Sequence, residues 1–459
     1  MRPNPDINHE GIGEFRDWSC SQENSRPEAC LQACDYPLTV PHALSKTSRG
    51  AVVDSGDELP KGLLVGYILI LALSMSMISF TIDPYLPAFP EIGTFFGVTN
   101  GVVQASFTGV TVGITLGQLL IGPLSDAYGR RPLLLFSMAG YVVATLLAFV
   151  ASSIEVFIAM RFFMGFFAAG GDVVGRAIIR DLYRGQPMQR MLARVFLIQA
   201  LAPILGPILG SQLTSFTNWQ AVLLLFACLH FVLLFATSFV LIETLPKARR
   251  RSSTPSGIAR GFRSVAKDRV FVGITIYAAL QLSALFVYLN FAPFIYQNAF
   301  GVTPTEFGLW LGINGLALYA GVQFGALVSR FIKGQWLLAI TAIAGIVVGS
   351  LLLISNPDQF WLVESAFAIQ MFTFGTGMSI IPTIALFNHG TEAGTANSLL
   401  GVVNFLLASL LSSFYFLLDS SSTVDVGVLI LSLFVLSLVA LIVIARPWTI
   451  PDLRKPDAI

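Results

Sequence analysis

The sequence predicts an all-α integral membrane protein with twelve transmembrane helices in two six-helix bundles, and three observations carry the prediction. Of the 459 residues, 55% are hydrophobic and 12% charged, roughly half the charged share of a soluble domain. From Leu63 onward, apolar runs recur with short polar breaks, each long enough to cross ~30 Å of hydrocarbon at ~1.5 Å per residue. An internal repeat then relates the first six runs to the last six.

The spans are 62–83, 103–124, 133–152, 156–178, 191–214 and 220–242, followed by 271–295, 306–328, 335–354, 360–386, 395–417 and 425–445. Charge orients them. Connections 84–102, 153–155, 215–219, 296–305, 355–359 and 418–424 contain no Lys or Arg. The alternate connections hold Arg130, Arg131, Arg180, Arg184, Arg190, Arg330 and Lys333, and the central one runs from Lys247 through Arg249, Arg250 and Arg251 to Arg269. Under the positive-inside rule the basic side is cytoplasmic. Both termini are then cytoplasmic, and the expected location is the inner (plasma) membrane.

Domain boundaries follow. Residues 1–60 are polar, without apolar periodicity, and read as a disordered cytoplasmic tail. A start at Val52 or Val53 is also compatible, since no Met lies between Met1 and Met75. The two bundles cover 61–243 and 271–446, joined by a basic linker, 244–270, and followed by a cytoplasmic tail, 447–459. Phe96-Gly97-Val98-Thr99 recurs 204 residues later as Phe300-Gly301-Val302-Thr303, and Gly117/Gly321 and Ser125/Ser329 keep the same offset. Parallel repeats about an axis along the membrane normal are a transporter architecture.

Other function classes lack their residues. No basic stripe with interleaved aromatics points to nucleic acid. No Gly-x-Ser-x-Gly elbow, nucleotide loop or His-rich cluster points to an enzyme or an ATP-driven pump, and no cofactor is expected. Cys20, Cys30 and Cys34 lack a zinc spacing and read, with Cys228, as reduced thiols.

Ionisable groups inside a membrane are expensive, so each is a candidate functional group. Asp83 lies toward the outer end of span one, Arg161, Asp172 and Arg176 in span four, and Glu364 near the outer edge of span ten. Arg161 and Asp172 sit about three turns apart, roughly 16 Å, too far to pair. Asp172 and Arg176 at i,i+4 can pair. Asp172 therefore reads either as half of a structural ion pair or as a functional carboxylate. Arg161 either snorkels to the outer surface or serves a cavity. Asp83 either solvates a helix end before Pro84 or binds protons. Gln281, Tyr288, Asn290, Asn314, Gln370 and Asn404 are polar residues in apolar spans, suited to cavity lining or to interhelical hydrogen bonds.

Several segments resemble a known family. Gly117-Gln-Leu-Leu-Ile-Gly122-Pro123-Leu-Ser-Asp126-Ala-Tyr-Gly129-Arg130-Arg131-Pro132 is similar to the signature loop between helices two and three of the major facilitator superfamily. Arg161-Phe-Phe-Met-Gly165 resembles its fourth-helix arginine motif, and Ala202-Pro203-Ile-Leu-Gly206-Pro207-Ile-Leu-Gly210 its fifth-helix antiporter motif. Asp83-Pro-Tyr-Leu-Pro87, Arg176-Ala-Ile-Ile-Arg180-Asp181 and Ala393-Gly394-Thr395-Ala396-Asn397 resemble the Bcr/CflA branch of drug:proton antiporters. The likeness covers roughly 62–446. It departs at Asp172, where relatives often carry a small residue, and at Ser74-Met75-Ser76, where some carry a second carboxylate. The second copy of the loop motif has Arg330 in place of Asp126.

The resemblance implies the major facilitator fold and alternating access around a midplane cavity. It implies an antiporter exchanging protons for small amphipathic compounds, with the lipid bilayer as its surroundings and a monomer as its working form. Asp83 is the expected protonatable site, because desolvation disfavours a carboxylate's charge. Arg161 would modulate it, Asp172 is the second candidate for coupling, and Gly117, Asp126, Gly129, Arg130 and Arg131 would gate the cytoplasmic side. In the family the matching aspartate faces the start of helix eleven when the outer side is open. Pro203, Gly206, Pro207 and Gly210 would bend span five. The alternatives are an exporter or importer of a metabolite such as an amino acid or sugar and, in another class, a non-transporting membrane sensor.

Overall fold

The structure is a computed structural model describing residues 61–183, 185–247, 250, 263, 265–356, 358–389, 393–412 and 422–452. Residues 1–60, much of the 244–270 linker and the end of the 447–459 tail lie outside the described residues, as do Cys20, Cys30 and Cys34. Among the described residues there is no strand.

Twelve helical segments follow the apolar runs. The first is α1, a pair of helices (Leu64–Met75 and Met77–Phe96) bent by 45° at their junction. Next come α2 (Asn100–Tyr128), α3 (Arg130–Phe149), α4 (Ile154–Leu182), α5 (Arg190–Phe216) and α6 (Trp219–Val240). The second half holds α7 (Arg269–Ala299), α8 (Pro304–Val328), α9 (Gly334–Leu353), α10 (Phe360–Leu386), α11 (Ala396–Ser412) and α12 (Thr423–Thr449). Ten of these are single helices long and apolar enough to span a bilayer, and the bent α1 makes an eleventh. The described part of α11 is shorter, and it stops where span eleven runs on into residues outside the described set.

Polar side chains cap several starts, as helix ends demand. Ser153 accepts from the Val156 amide, Asn218 from Ala221 and Asp268 from Val270. Thr303 and Glu306 form a capping box at the head of α8. Large apolar side chains such as Phe216, Phe231, Phe235 and Phe239 are exposed, which a bilayer tolerates and water does not.

One boundary is corrected. Residues 84–102 were expected as a connection, yet 84–96 stay helical, so Asp83 lies inside a broken span instead of at its end. Asp83 opens a 3-10 turn, Asp83–Ala88, with Pro84 in its first turn and Pro87 inside. Proline is tolerated early in a helical turn because the amide it lacks has no partner there.

The duplication is visible in three dimensions. Gly97 and Gly301, both ahead of a Thr N-cap, take the left-handed conformation at φ 64° and 67°, which glycine adopts without the Cβ penalty. A Cβ on Gly117 of α2 would strike the Phe166 carbonyl of α4, and one on Gly321 of α8 the Phe372 carbonyl of α10. In return, Gly165 seats against the Val110 carbonyl and Gly375 against that of Leu318. Small residues let membrane helices approach this closely.

The two halves meet at the Lys/Arg-free end. Gln297 Nε2 donates to the Pro87 carbonyl at 3.1 Å and Gln104 Nε2 to that of Asn290 at 3.3 Å. Phe89 packs on Phe294 and Phe107 on Phe286, and Thr108 hydrogen-bonds Ser412 at 3.1 Å. Toward the midplane, Gly315 of α8 faces Pro203 and Ile204 of α5, and Gly401 of α11 faces Gln118 of α2.

Candidate functional site

Asp83 occupies the break in α1. Its amide still donates to the Ser79 carbonyl, while Pro84 and Pro87 withhold theirs, so the chain tightens into the 3-10 turn. That turn seats in a notch on α5. A Cβ on Gly206 would stand 3.2 Å from the Asp83 Cβ, and one on Gly210 would run into the Pro84 carbonyl. The opposite side of the same α5 segment meets the second half. The Pro207 carbonyl and Ser211 lie against Gly308, and the Pro203 carbonyl against Gly315. A turn at residues 200–201 interrupts α5 just before Pro203. The motifs of spans one and five, 120 residues apart in sequence, therefore build one joint, clamped between α1 and α8.

Arg161 points inward. It is 1% exposed, so it does not snorkel. Its Nη1 donates to the Thr81 carbonyl at 2.9 Å, and its guanidinium lies 4.0 Å from the Tyr85 ring centroid, a cation–π contact. Thr81 also donates to Tyr141 Oη at 3.0 Å. The Nε and Nη2 of Arg161 are buried without a partner among the described residues. Arg161 thus grips the backbone two residues before Asp83 and the ring two residues after it. It forms no ion pair with Asp83 or Asp172.

Asp172 pairs with Arg176, with Nε at 2.9 Å and Nη2 at 2.8 Å from one carboxylate oxygen. Arg176 is nearly half exposed. The structure therefore separates Asp172 from the Asp83–Arg161 group and supplies the ion pair that the spacing allowed.

The polar residues of the second half divide. Gln281 donates to Ser437 at 3.3 Å and Gln370 to the Ala284 carbonyl at 2.7 Å, both as links between helices. Asn290 donates to its own helix at Phe286 and offers its carbonyl to Gln104 on the seam. The Asn404 carbonyl oxygen is buried without a partner among the described residues. Asn314 donates to Tyr288 Oη at 3.1 Å and, at 3.5 Å, to Glu364, which also accepts from Tyr296 Oη. Tyr288 interacts electrostatically with both Glu364 and Asp83, linking this cluster to the first half.

The sequence reading noted Glu364 as an intramembrane carboxylate and Tyr85 as part of the Asp83-Pro-Tyr-Leu-Pro87 motif without assigning either a role, and it missed Tyr141 and Tyr296. Position within an apolar span was the available signal for Glu364. Nothing in the sequence separates Tyr141 and Tyr296 from lipid-facing tyrosines.

At the basic end, Arg130 is 3% exposed and acts as a hub. It contacts Asp126 at 2.5 Å, Asp181 at 2.8 Å and Ser125 at 2.7 Å, and its amide donates to Glu243 at 3.0 Å. Arg131 donates to the Ser238 carbonyl at 2.6 Å. Gly129 takes φ 108° there, a conformation that a residue with a Cβ adopts only under strain. All these partners belong to the first half, so the cluster ties α2, α3, α4 and α6 together. The hydrogen bonds and ring contacts between the two halves described above lie at the opposite end.

A model of the Major Facilitator Superfamily matches residues 69–414. The chain belongs to the major facilitator superfamily. It is a membrane transporter, not an enzyme, and it handles small molecules. An uncharacterized MFS-type transporter, YdgK of Bacillus subtilis, is 33% identical over 361 residues, covering 78% of this chain and 88% of that protein. A bicyclomycin resistance protein homolog of Haemophilus influenzae is 28% identical over 76% of this chain and 88% of its own length. Among solved structures, a bacterial homolog of the human lysosomal transporter Spinster superposes with a TM-score of 0.62 at 14% identity, covering 84% of this chain and 95% of that one. That likeness shows the major facilitator fold.

Proposed function

We propose that this transporter exports small amphipathic compounds, antibiotics among them, in exchange for protons, from the inner membrane with its basic loops and both termini in the cytoplasm. The observation that carries this reading is the Asp83 joint. A lone carboxylate sits at the break of α1, pressed into the glycine notch of α5, with Arg161 holding the backbone on one side and the Tyr85 ring on the other. A carboxylate that changes protonation at such a joint changes the charge facing the α1–α5–α8 contact, and that contact must rearrange when the halves rock. Desolvation disfavours the charged form, which suits uptake of a proton from one side and its release to the other. The Lys/Arg-free seal is the closed outer gate, so this state is closed to the exterior. Among the described residues, Asp126, Arg130 and Arg131 bond within the first half, as expected when the helix-eleven latch of the outward-open state is released. Gly117 supplies the α2–α4 packing behind that loop. Lipid surrounds the exposed apolar faces, and one chain suffices as a monomer. Names borne by relatives, bicyclomycin resistance among them, support the substrate class.

The test uses everted membrane vesicles acidified by respiration. A pH-sensitive dye should report proton release when a phenicol, sulfonamide, tetracycline or lipophilic cation is added, and Asp83→Asn should abolish it. Release at the wild-type rate in that variant would remove Asp83 from the coupling. No release for any compound, with the protein shown to be inserted, would overturn proton-driven drug export.

A further inference from the structure

The transport reading uses Asp83 and leaves a second buried carboxylate without a role. Glu364 is 5% exposed and forms no ion pair among the described residues. The groups that face it are Tyr296 on α7, Asn314 on α8 and, beyond Asn314, Tyr288 on α7, which also interacts electrostatically with Asp83 of the first half. None is a cation. A charge buried without a partner is costly, so this position favours a group able to take a proton.

The hydrogen bonds point the same way. Glu364 Oε1 and Asn314 Oδ1 are both buried without partners. A carboxamide offers a donor on one side and an acceptor on the other. With Glu364 charged, the Asn314 amide donates both to it and to Tyr288. With Glu364 protonated, a half-turn of the amide presents its oxygen to the new O–H, and Tyr288 donates where it had accepted. Asn314 then stays bonded to both Glu364 and Tyr288 in either state, with the direction of each bond reversed.

Position supplies the direction of access. Tyr296 stands beside Gln297, which bonds the Pro87 carbonyl, and close to Phe294, which packs on Phe89. These contacts are the seal at the Lys/Arg-free end. When they part, the Tyr296–Glu364 pair lies behind them, facing that side.

We propose that Glu364 is a second proton-binding site, loaded from the exterior, whose protonation permits the outer end to close. This rests on the transport reading for its direction and adds a proton-sensitive gate in the half opposite Asp83. The chemistry is a simple transfer, with a proton leaving hydronium for the carboxylate and the neutral acid then buried with its hydrogen bonds made.

The experiment measures the outer gate directly. Spin labels are placed at exposed Thr94 and Asp358, one in each half, in full-length protein whose four cysteines are replaced by serine. Their separation is measured in lipid nanodiscs from mildly acidic to mildly alkaline pH. Wild type should lengthen as pH rises, because the charged carboxylate resists burial. Glu364→Gln, a neutral isostere, should keep the short distance at every pH, and Asp83→Asn should still open. If Glu364→Gln does not fold, Tyr296→Phe keeps the ring packing and removes one donor to the carboxylate. It should move the opening midpoint to higher pH. Opening of Glu364→Gln along the wild-type curve, a wild type without pH response, or an unmoved midpoint in Tyr296→Phe would each overturn the proposal. Loss of the response in Asp83→Asn alone would assign the gate to Asp83. None of these outcomes depends on compound-driven proton release, whose absence would sink the transport reading by itself.

Discussion

Among the described residues, the first half of the molecule buries a cation, Arg161, with no carboxylate paired to it, and the second half buries a carboxylate, Glu364, with no cation. The two lie on α4 and α10, the helices that occupy matching places in the repeat, with Glu364 203 residues after Arg161. Around them the scaffold is the same. Gly117 and Gly165 lock α2 to α4, and Gly321 and Gly375 lock α8 to α10. The glycines answer a packing demand that is identical in both halves, because each is set against a backbone carbonyl. The polar positions answer no such demand and have diverged. Shared architecture and separate chemistry are therefore distinct layers of this fold, and each can be disturbed alone.

The largest effect is expected at Arg161. Replacing it by Met should lower compound-driven proton release about a hundredfold, ~2.7 kcal/mol of barrier, because the grip on Thr81 and Tyr85 is lost. The melting temperature should hold or rise, since an uncompensated buried charge has been removed. Arg161→Lys should recover little, as an ammonium lacks the planar fork that reaches the carbonyl while lying over the ring. A collapse in melting temperature alongside the lost transport would make Arg161 a folding residue and erase the contrast with Glu364.

A matched pair tests the common scaffold. Gly117→Ala and Gly321→Ala should each destabilise by about 1–3 kcal/mol, the usual cost of overpacking, measured as a fall in melting temperature in detergent. The two should agree, because the colliding atom is a backbone carbonyl in both cases. A tolerated Gly321→Ala beside a damaging Gly117→Ala would show that the signature loop of the first half, and not the packing, sets that glycine.

The smallest change is expected at Asp172. Its carboxylate is buried, but its partner Arg176 is nearly half exposed, and the pair stands apart from the Asp83 joint. Asp172→Asn should leave vesicle proton release within about threefold of wild type. A complete loss would move the coupling carboxylate out of α1 and into α4.

The sequence by itself determined the number of spans, their division into two sixes and the basic side of the molecule, because lipid solvation acts on each segment locally. It also exposed the repeat at Phe96–Thr99 and Phe300–Thr303, where the helix starts are set by neighbouring residues. Only the tertiary structure carried α1 past Pro84 as a broken helix, seated Asp83 in the notch of Gly206 and Gly210, and turned Arg161 inward. It alone joined Glu364 to Tyr296, Asn314 and Tyr288, and through Tyr288 to the other half. Those facts depend on which faces of distant helices meet, and an apolar span gives no sign of its facing, since lipid and protein interior favour the same side chains.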